Sequence, residues 1–128
     1  MRSIRSIAGE LTEADIQAQV IDYVKPLESS GGFLVFAVIN EGQGHTMGSG
    51  FARIARFKRM GMRSGVADLV FVKNGRCYFL EMKRNKGKQS ENQKLFEADA
   101  SRCQAPYAIA RSFVAYVWWY GFIVGVVS

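Results

Sequence analysis

Cysteine is scarce in this 128-residue chain: Cys77 and Cys103 are the only two, too few for a disulfide framework and in no metal-ligand spacing. That argues against a structural zinc site and leads us to expect a reducing, cytoplasmic setting. Acidic residues are outnumbered, 11 against 17 Lys and Arg, and the formal charge of +6 points to a polyanionic partner, nucleic acid before anionic membrane. No apolar run reaches the ~20 residues of a membrane span. The longest, Phe113 to Ser128, is interrupted by two glycines and is expected to be buried in the fold or in a dimer interface. The first residues, MRSIRSIAGELTEAD, have no unbroken apolar stretch before Glu10 and Glu13, so no secretory signal is expected. Repeats and low-complexity tracts are missing, and the glycines at 42, 44, 48 and 50 lack the Gly-Lys-Ser/Thr of a phosphate-binding loop. The single histidine, His45, lies in that glycine-rich stretch and is expected to be exposed there instead of acting as a general base.

What remains is ordinary globular material, 48% hydrophobic and 22% charged, expected to form one domain over residues 1–128. Thr12 with Glu13, Ala14 and Asp15 forms an N-cap pattern with acids in the first turn, and Ile16, Val20, Ile21 and Val24 recur at helical spacing. This predicts a helix over 13–25 that ends at Pro26. FLVFAVI (33–39) predicts a strand, residues 40–50 a mobile loop, and 51–65 a short basic element. VADLVFV (66–72) and RCYFLEMK (76–83) flank Asn74-Gly75, the signature of a type I′ hairpin. Ser90-Glu91-Asn92-Gln93 fits a capping box opening a helix to about Cys103, and YAIA (107–110) predicts a last strand. The tail from Ser112 carries helical spacing (Phe113, Val117, Tyr120) and strand-like composition alike. The fold class is α/β, a mixed sheet flanked by helices.

The hairpin is the informative element. A two-residue turn at 74 and 75 pairs Lys73 with Arg76, and the same register sets Asp68 opposite Glu81. The period of two puts Lys83 on that face too. The remaining residues of both strands are apolar on both faces, so the hairpin is expected at the sheet centre. Opposed carboxylates in such a place are costly unless compensated. Two readings account for them equally. A hard divalent cation, Mg²⁺ or Mn²⁺, held by Asp68 and Glu81 would support phosphodiester hydrolysis with Lys83 orienting water or balancing charge. Alternatively, Lys83 simply neutralises both acids as a structural network.

The order Asp68, then Glu81-Met82-Lys83 on the next strand, resembles the PD-(D/E)XK nuclease signature. Together with Glu13-Ala14-Asp15-Ile16-Gln17, Gly65-Val66-Ala67-Asp68 and Ser90-Glu91-Asn92-Gln93, it is similar to the virus-type replication-repair nuclease (VRR-NUC) branch, over roughly residues 11–112. The resemblance implies a restriction-endonuclease-like core of αβββαβ order followed by an apolar element. It implies Asp68, Glu81 and the Met82 carbonyl as metal ligands, Lys83 as the catalytic lysine, and Glu13 and Gln93 as accessory site residues, with Glu13 also a candidate ligand. One departure is visible: Ala67 stands where the family pattern has proline, a change of backbone shape and not of metal chemistry.

Glu13 is favourable in a first helical turn in any case, and Gln17 shares its helix face, with a weaker claim to the site. Gln93 is expected to serve either Ser90 or the site, one amide being unable to serve both fully. Arg53, Arg56, Lys58, Arg59 and Arg63 precede the hairpin, and Arg84, Lys86 and Lys88 follow Lys83. Both groups are expected to hold the phosphate backbone, with DNA shape and not base sequence recognised. The resemblance implies a Mg²⁺-dependent DNA endonuclease of phage or bacterial type acting on branched DNA, four-way junctions included. Symmetrical junction cutting would require a homodimer, for which Tyr116, Trp118, Trp119 and Tyr120 are the candidate surface unless they are core. A non-catalytic basic DNA-binding module is the competing expectation, and a membrane-surface role for the tail is a third.

Overall fold

A computed structural model describes residues 11–39 and 50–124. The expected loop at 40–49, with His45, lies outside the described residues. The elements run α1 (Glu13–Val24), a 3-10 turn (Lys25–Leu27), a short helix α2 (Glu28–Gly31), β1 (Phe33–Ala37), α3 (Gly50–Arg59), β2 (Leu69–Lys73), β3 (Arg76–Met82), α4 (Glu91–Arg102), β4 (Tyr107–Ala110) and α5 (Phe113–Val124). The four strands form one mixed sheet in sequence order, antiparallel through β3 and parallel between β3 and β4, with α4 as the crossover. This is the expected αβββαβ core, with the hairpin central.

Local chemistry explains most boundaries. Thr12 caps α1 and exchanges hydrogen bonds with Asp15, and Pro26 opens the 3-10 turn, so α1 stops at Val24 instead of 25. Asn74 and Gly75 both take positive φ, 54° and 75°, as a type I′ turn demands. The register pairs Lys73 with Arg76 and continues to Leu69 opposite Leu80. Three expected strands are too long. β2 begins at Leu69 and not at 66, because the Asp68 side chain, in place of a backbone carbonyl, takes the Met82 N–H at 2.7 Å. β1 ends at Ala37, although Val38 N–H still donates to the Asp68 carbonyl at 2.9 Å, and β3 ends at Met82. The basic element is the helix α3, stopping at Arg59 before the turn at Gly61.

One face of the sheet is closed by α1 and α5. Ile16, Val20 and Val24 of α1 pack with Val35, Leu69, Phe71, Leu80, Met82, Tyr116 and Tyr120 in a continuous core. On the other face α4 covers β3 and β4, with Phe96 edge-on to Phe79 at 4.9 Å. The outward N–H and C=O of Val35 on edge strand β1 are taken by Glu28 (2.8 Å) and Lys25 (3.1 Å), which blunts that edge against further strand pairing.

The tail is a helix, and its faces divide the candidate dimer surface. Tyr116 and Tyr120 are buried in the core and Trp119 packs edge-on to Phe71 at 5.4 Å, so of the four named aromatics Trp118 alone faces solvent, beside Val114 and Phe122. The Tyr116 hydroxyl is buried with no hydrogen-bond partner among the described residues, and that burial pushes its pKa up. Tyr116→Phe is therefore expected to leave the fold intact and raise unfolding free energy by about 1 kcal/mol, read from urea denaturation. A loss of stability would show that the hydroxyl has a partner after all.

Candidate active site

The sheet end where β2 begins and β3 finishes gathers the expected residues. Glu81, 1% exposed, faces Asp68 across the strand gap, and the two carboxyl groups lie within hydrogen-bonding reach. Burial, then the Asp68 charge, push the Glu81 pKa up to about 9, Lys83 pulls it back, and Glu13 adds a further upward push. All four ionisable side chains thus share one field. Lys83, 9% exposed, follows on the same face; its stem runs beside Gly87 in the next turn. Among the described residues no three His, Cys, Asp or Glu side chains sit close enough to form a ligand set. Glu13 therefore stands at the rim, where with Gln17 and Asp68 it lines a cleft of about 380 Å³.

Gln93 corrects an expectation. Its amide serves both partners: the carbonyl oxygen accepts the Ser90 N–H at 2.8 Å, closing the capping box, and its NH₂ donates to Glu81 Oε2 at 3.0 Å. The Ser90 N–H can only donate, so it fixes which end of the amide faces Glu81. The other carboxylate oxygen, Glu81 Oε1, is buried with no hydrogen-bond partner among the described residues. This orphan acceptor beside a second carboxylate needs a proton or a cation. The donors are hard oxygens, which suit Mg²⁺ or Mn²⁺. The Met82 N–H points at Asp68, and its carbonyl leaves the strand on the same side, available as a further oxygen donor. The residues present fit a hard divalent ion.

Gly65, within the Gly65-Val66-Ala67-Asp68 stretch, sets how closely the chain meets α4. At φ +79° it lets the chain pass against the first turn of α4, where an added Cβ would lie 2.5 Å from the Asn92 carbonyl oxygen and 2.6 Å from the Gln93 nitrogen. Arg111, not singled out in the sequence, donates through Nη1 to the carbonyls of Arg84 (3.0 Å), Asn85 (3.4 Å) and Gly87 (2.6 Å). No local pattern marks it, since its partners are more than 20 residues away in the chain.

The basic residues fall into different settings. Arg84, Lys86 and Lys88 are exposed on the segment after Lys83, and Arg56, Lys58 and Arg59 are exposed along α3, where Arg53 lies over Phe57 at 5.2 Å. Arg63 is already engaged, with Asp99 at 2.6 Å and over the Phe96 ring at 5.3 Å, which ties the segment before Gly65 to α4.

No family model matches the chain, and no curated protein does. Among solved structures, one described as a VRR_NUC domain protein superposes with a TM-score of 0.64 at 19% identity, over 84% of this chain and 83% of that one. A second, described as a VRR_NUC domain, superposes with a TM-score of 0.49 at 22% identity over 80% and 88%. The chain has the fold of the first.

Proposed function

We propose that this chain, which has the fold of a VRR_NUC domain protein, is a divalent-metal-dependent DNA endonuclease of the VRR-NUC type. The observation that carries the reading is Glu81: a carboxylate 1% exposed, with one oxygen unpartnered, set against Asp68 and Lys83. Such an arrangement costs stability unless something is bound there.

Asp68, Glu81 and the Met82 carbonyl would hold Mg²⁺, which Mn²⁺ would replace, with Glu13 approaching from the rim. The ion would supply an acidified water and stabilise charge on the phosphate oxygens. The protein's own groups do the rest. Gln93 fixes the Glu81 carboxyl group through Oε2, leaving Oε1 for the ion. Lys83 projects from the same face and places a positive charge beside the attacked phosphate, where it orients the attacking water and offsets the charge that develops. Arg84, Lys86, Lys88 and the α3 cations hold the backbone, and +6 net charge draws DNA in. No base-reading motif is evident, so branched DNA, four-way junctions among it, is the substrate class we propose. Paired cuts would need two copies of the chain, for which the exposed Trp118 and Phe122 of α5 are a candidate surface.

The test is cleavage of single-strand, duplex, splayed-arm and four-way substrates with Mg²⁺, Mn²⁺ or EDTA, beside Lys83→Ala. Metal-dependent cutting that falls on the order of 10²–10³-fold in the variant, with DNA affinity retained, is expected. Cutting by Lys83→Ala at the wild-type rate would overturn the mechanism. Tight, salt-sensitive binding without cutting on any substrate would favour the non-catalytic module.

A further inference from the structure

Beside the site, on the other flank of α1, lies a cavity of about 670 Å³ that shares Arg84 and Lys86 with the backbone-holding segment and has an apolar side the reaction does not use. Glu13 and Gln17 face the cleft with Asp68, whereas Ile16 and Gln19 face this cavity, so the first turns of α1 form the partition. Its walls differ chemically. Arg84, Lys86 and Arg111 give one wall three cations, and Ile16, Phe113 and Val114 make the other apolar. The cationic wall is built in advance: the Arg111 guanidinium gathers the carbonyls of Arg84, Asn85 and Gly87, so the turn is shaped before any ligand arrives. The Val114 side chain is 66% exposed and open to contact.

We infer that this cavity takes one unpaired nucleotide of a DNA strand, its phosphate on the Arg84, Lys86 and Arg111 wall and its base against Phe113 and Val114. The size is within the ~300–1,000 Å³ typical of small-ligand sites. A phosphate alone would leave the apolar wall uncovered, and a base pair held in a duplex could not turn its apolar face to it. Bases present an apolar face to any flat hydrophobic surface whatever their identity, so the cavity reads strandedness and not sequence. Arg84 follows Lys83 directly in the chain, so the bound nucleotide is a near neighbour of the phosphate under attack. The inference rests on the nuclease reading for its purpose, and a preference for branched DNA then follows from the unpaired nucleotides at a branch.

Binding measured in EDTA separates the two ideas, because no cutting is needed. The probes are a fluorescein-labelled single-stranded oligonucleotide, the same strand with abasic positions, and its blunt duplex, titrated at several salt concentrations. Wild type is expected to bind the intact strand roughly tenfold more tightly than the abasic strand, in line with one stacked base. Val114→Asn is expected to narrow that ratio at least ~3-fold, and Lys86→Ala to reduce the slope of log affinity against log salt by ~0.7, one phosphate contact on a single strand. Equal affinity of wild type for intact and abasic strands, or an unchanged salt slope in Lys86→Ala, would overturn the inference. If these binding effects hold while no protein cuts DNA with metal, the cavity stands and the nuclease reading fails. If wild type cuts DNA but ignores abasic positions, the reverse holds.

Discussion

Glu81→Gln is expected to abolish cleavage and at the same time make the metal-free protein more stable. The Glu81 pKa, ordinarily 4.5, is pushed up to about 9 by burial and by Asp68. Between those values the folded protein holds a proton that the unfolded chain has released, so stability falls as pH rises through the window and is fully present only below pH 4.5. Glutamine keeps the shape and can still accept from Gln93, but it carries no charge to desolvate and none to repel Asp68. The variant should therefore gain about 1–3 kcal/mol at pH 8, and the gain should vanish in acid. Cleavage should fall on the order of 10³-fold or more, with the loss of a charged oxygen ligand. Thermal melts from pH 4 to 9 in EDTA, repeated with Mg²⁺, read both effects. Wild type should be stabilised by the metal most at high pH, and Glu81→Gln should not respond. A melting temperature for metal-free wild type that stays flat between pH 5 and 9 would remove the basis for the prediction.

The second large effect is expected at a residue with no functional atoms. Gly65→Ala meets two penalties at once: φ of +79° costs an L-residue ~1–2 kcal/mol, and the overlap of Cβ with the Asn92–Gln93 backbone adds ~1–3 kcal/mol. The obstacle is backbone and cannot rotate away, so α4 must back off. Gln93 would then leave Glu81, and a displacement on the order of 1 Å is enough to reduce catalysis ~10²-fold. Gly75 supplies the control. Its φ is +75°, yet no atom of the described residues beyond its chain neighbours lies within 4 Å of where its Cβ would be, so Gly75→Ala bears the conformational cost alone. Urea denaturation and cleavage rates of the two variants, side by side, are expected to show Gly65→Ala losing at least twice the stability and nearly all the additional activity. Equal losses in both would mean that the contact with α4 is immaterial.

Part of this protein follows from local sequence alone. The type I′ hairpin needs only Asn74 and Gly75, whose tolerance of positive φ sets the turn, and the turn then sets the register of every β2–β3 pair. Thr12 and Ser90 announce their helices because a cap is a contact three residues long. The proximity of Asp68, Glu81 and Lys83 was legible for the same reason, as a consequence of hairpin register. Strand ends were not, because a side chain decided where backbone pairing gave way: at the start of β2 the Asp68 carboxylate takes the Met82 N–H in place of a carbonyl.

Tertiary structure decided the rest, wherever the partner is remote in the chain or composition is ambiguous. Phe113–Val124 suits a helix or a strand by content, and it became a helix whose Tyr116 and Tyr120 complete the core against α1 and the sheet. Gln93 could bridge Ser90 and Glu81 only once α4 had been laid across the end of β3, a distance of 12 residues that no motif spacing encodes. Gly65 set how closely α4 approaches, and Arg111 gathered carbonyls 24 to 27 residues upstream. The sequence by itself determined which ionisable side chains meet at the end of the hairpin, since residue type and short-range register are local properties. Packing alone determined how deeply Glu81 is buried and which of its oxygens was left without a partner.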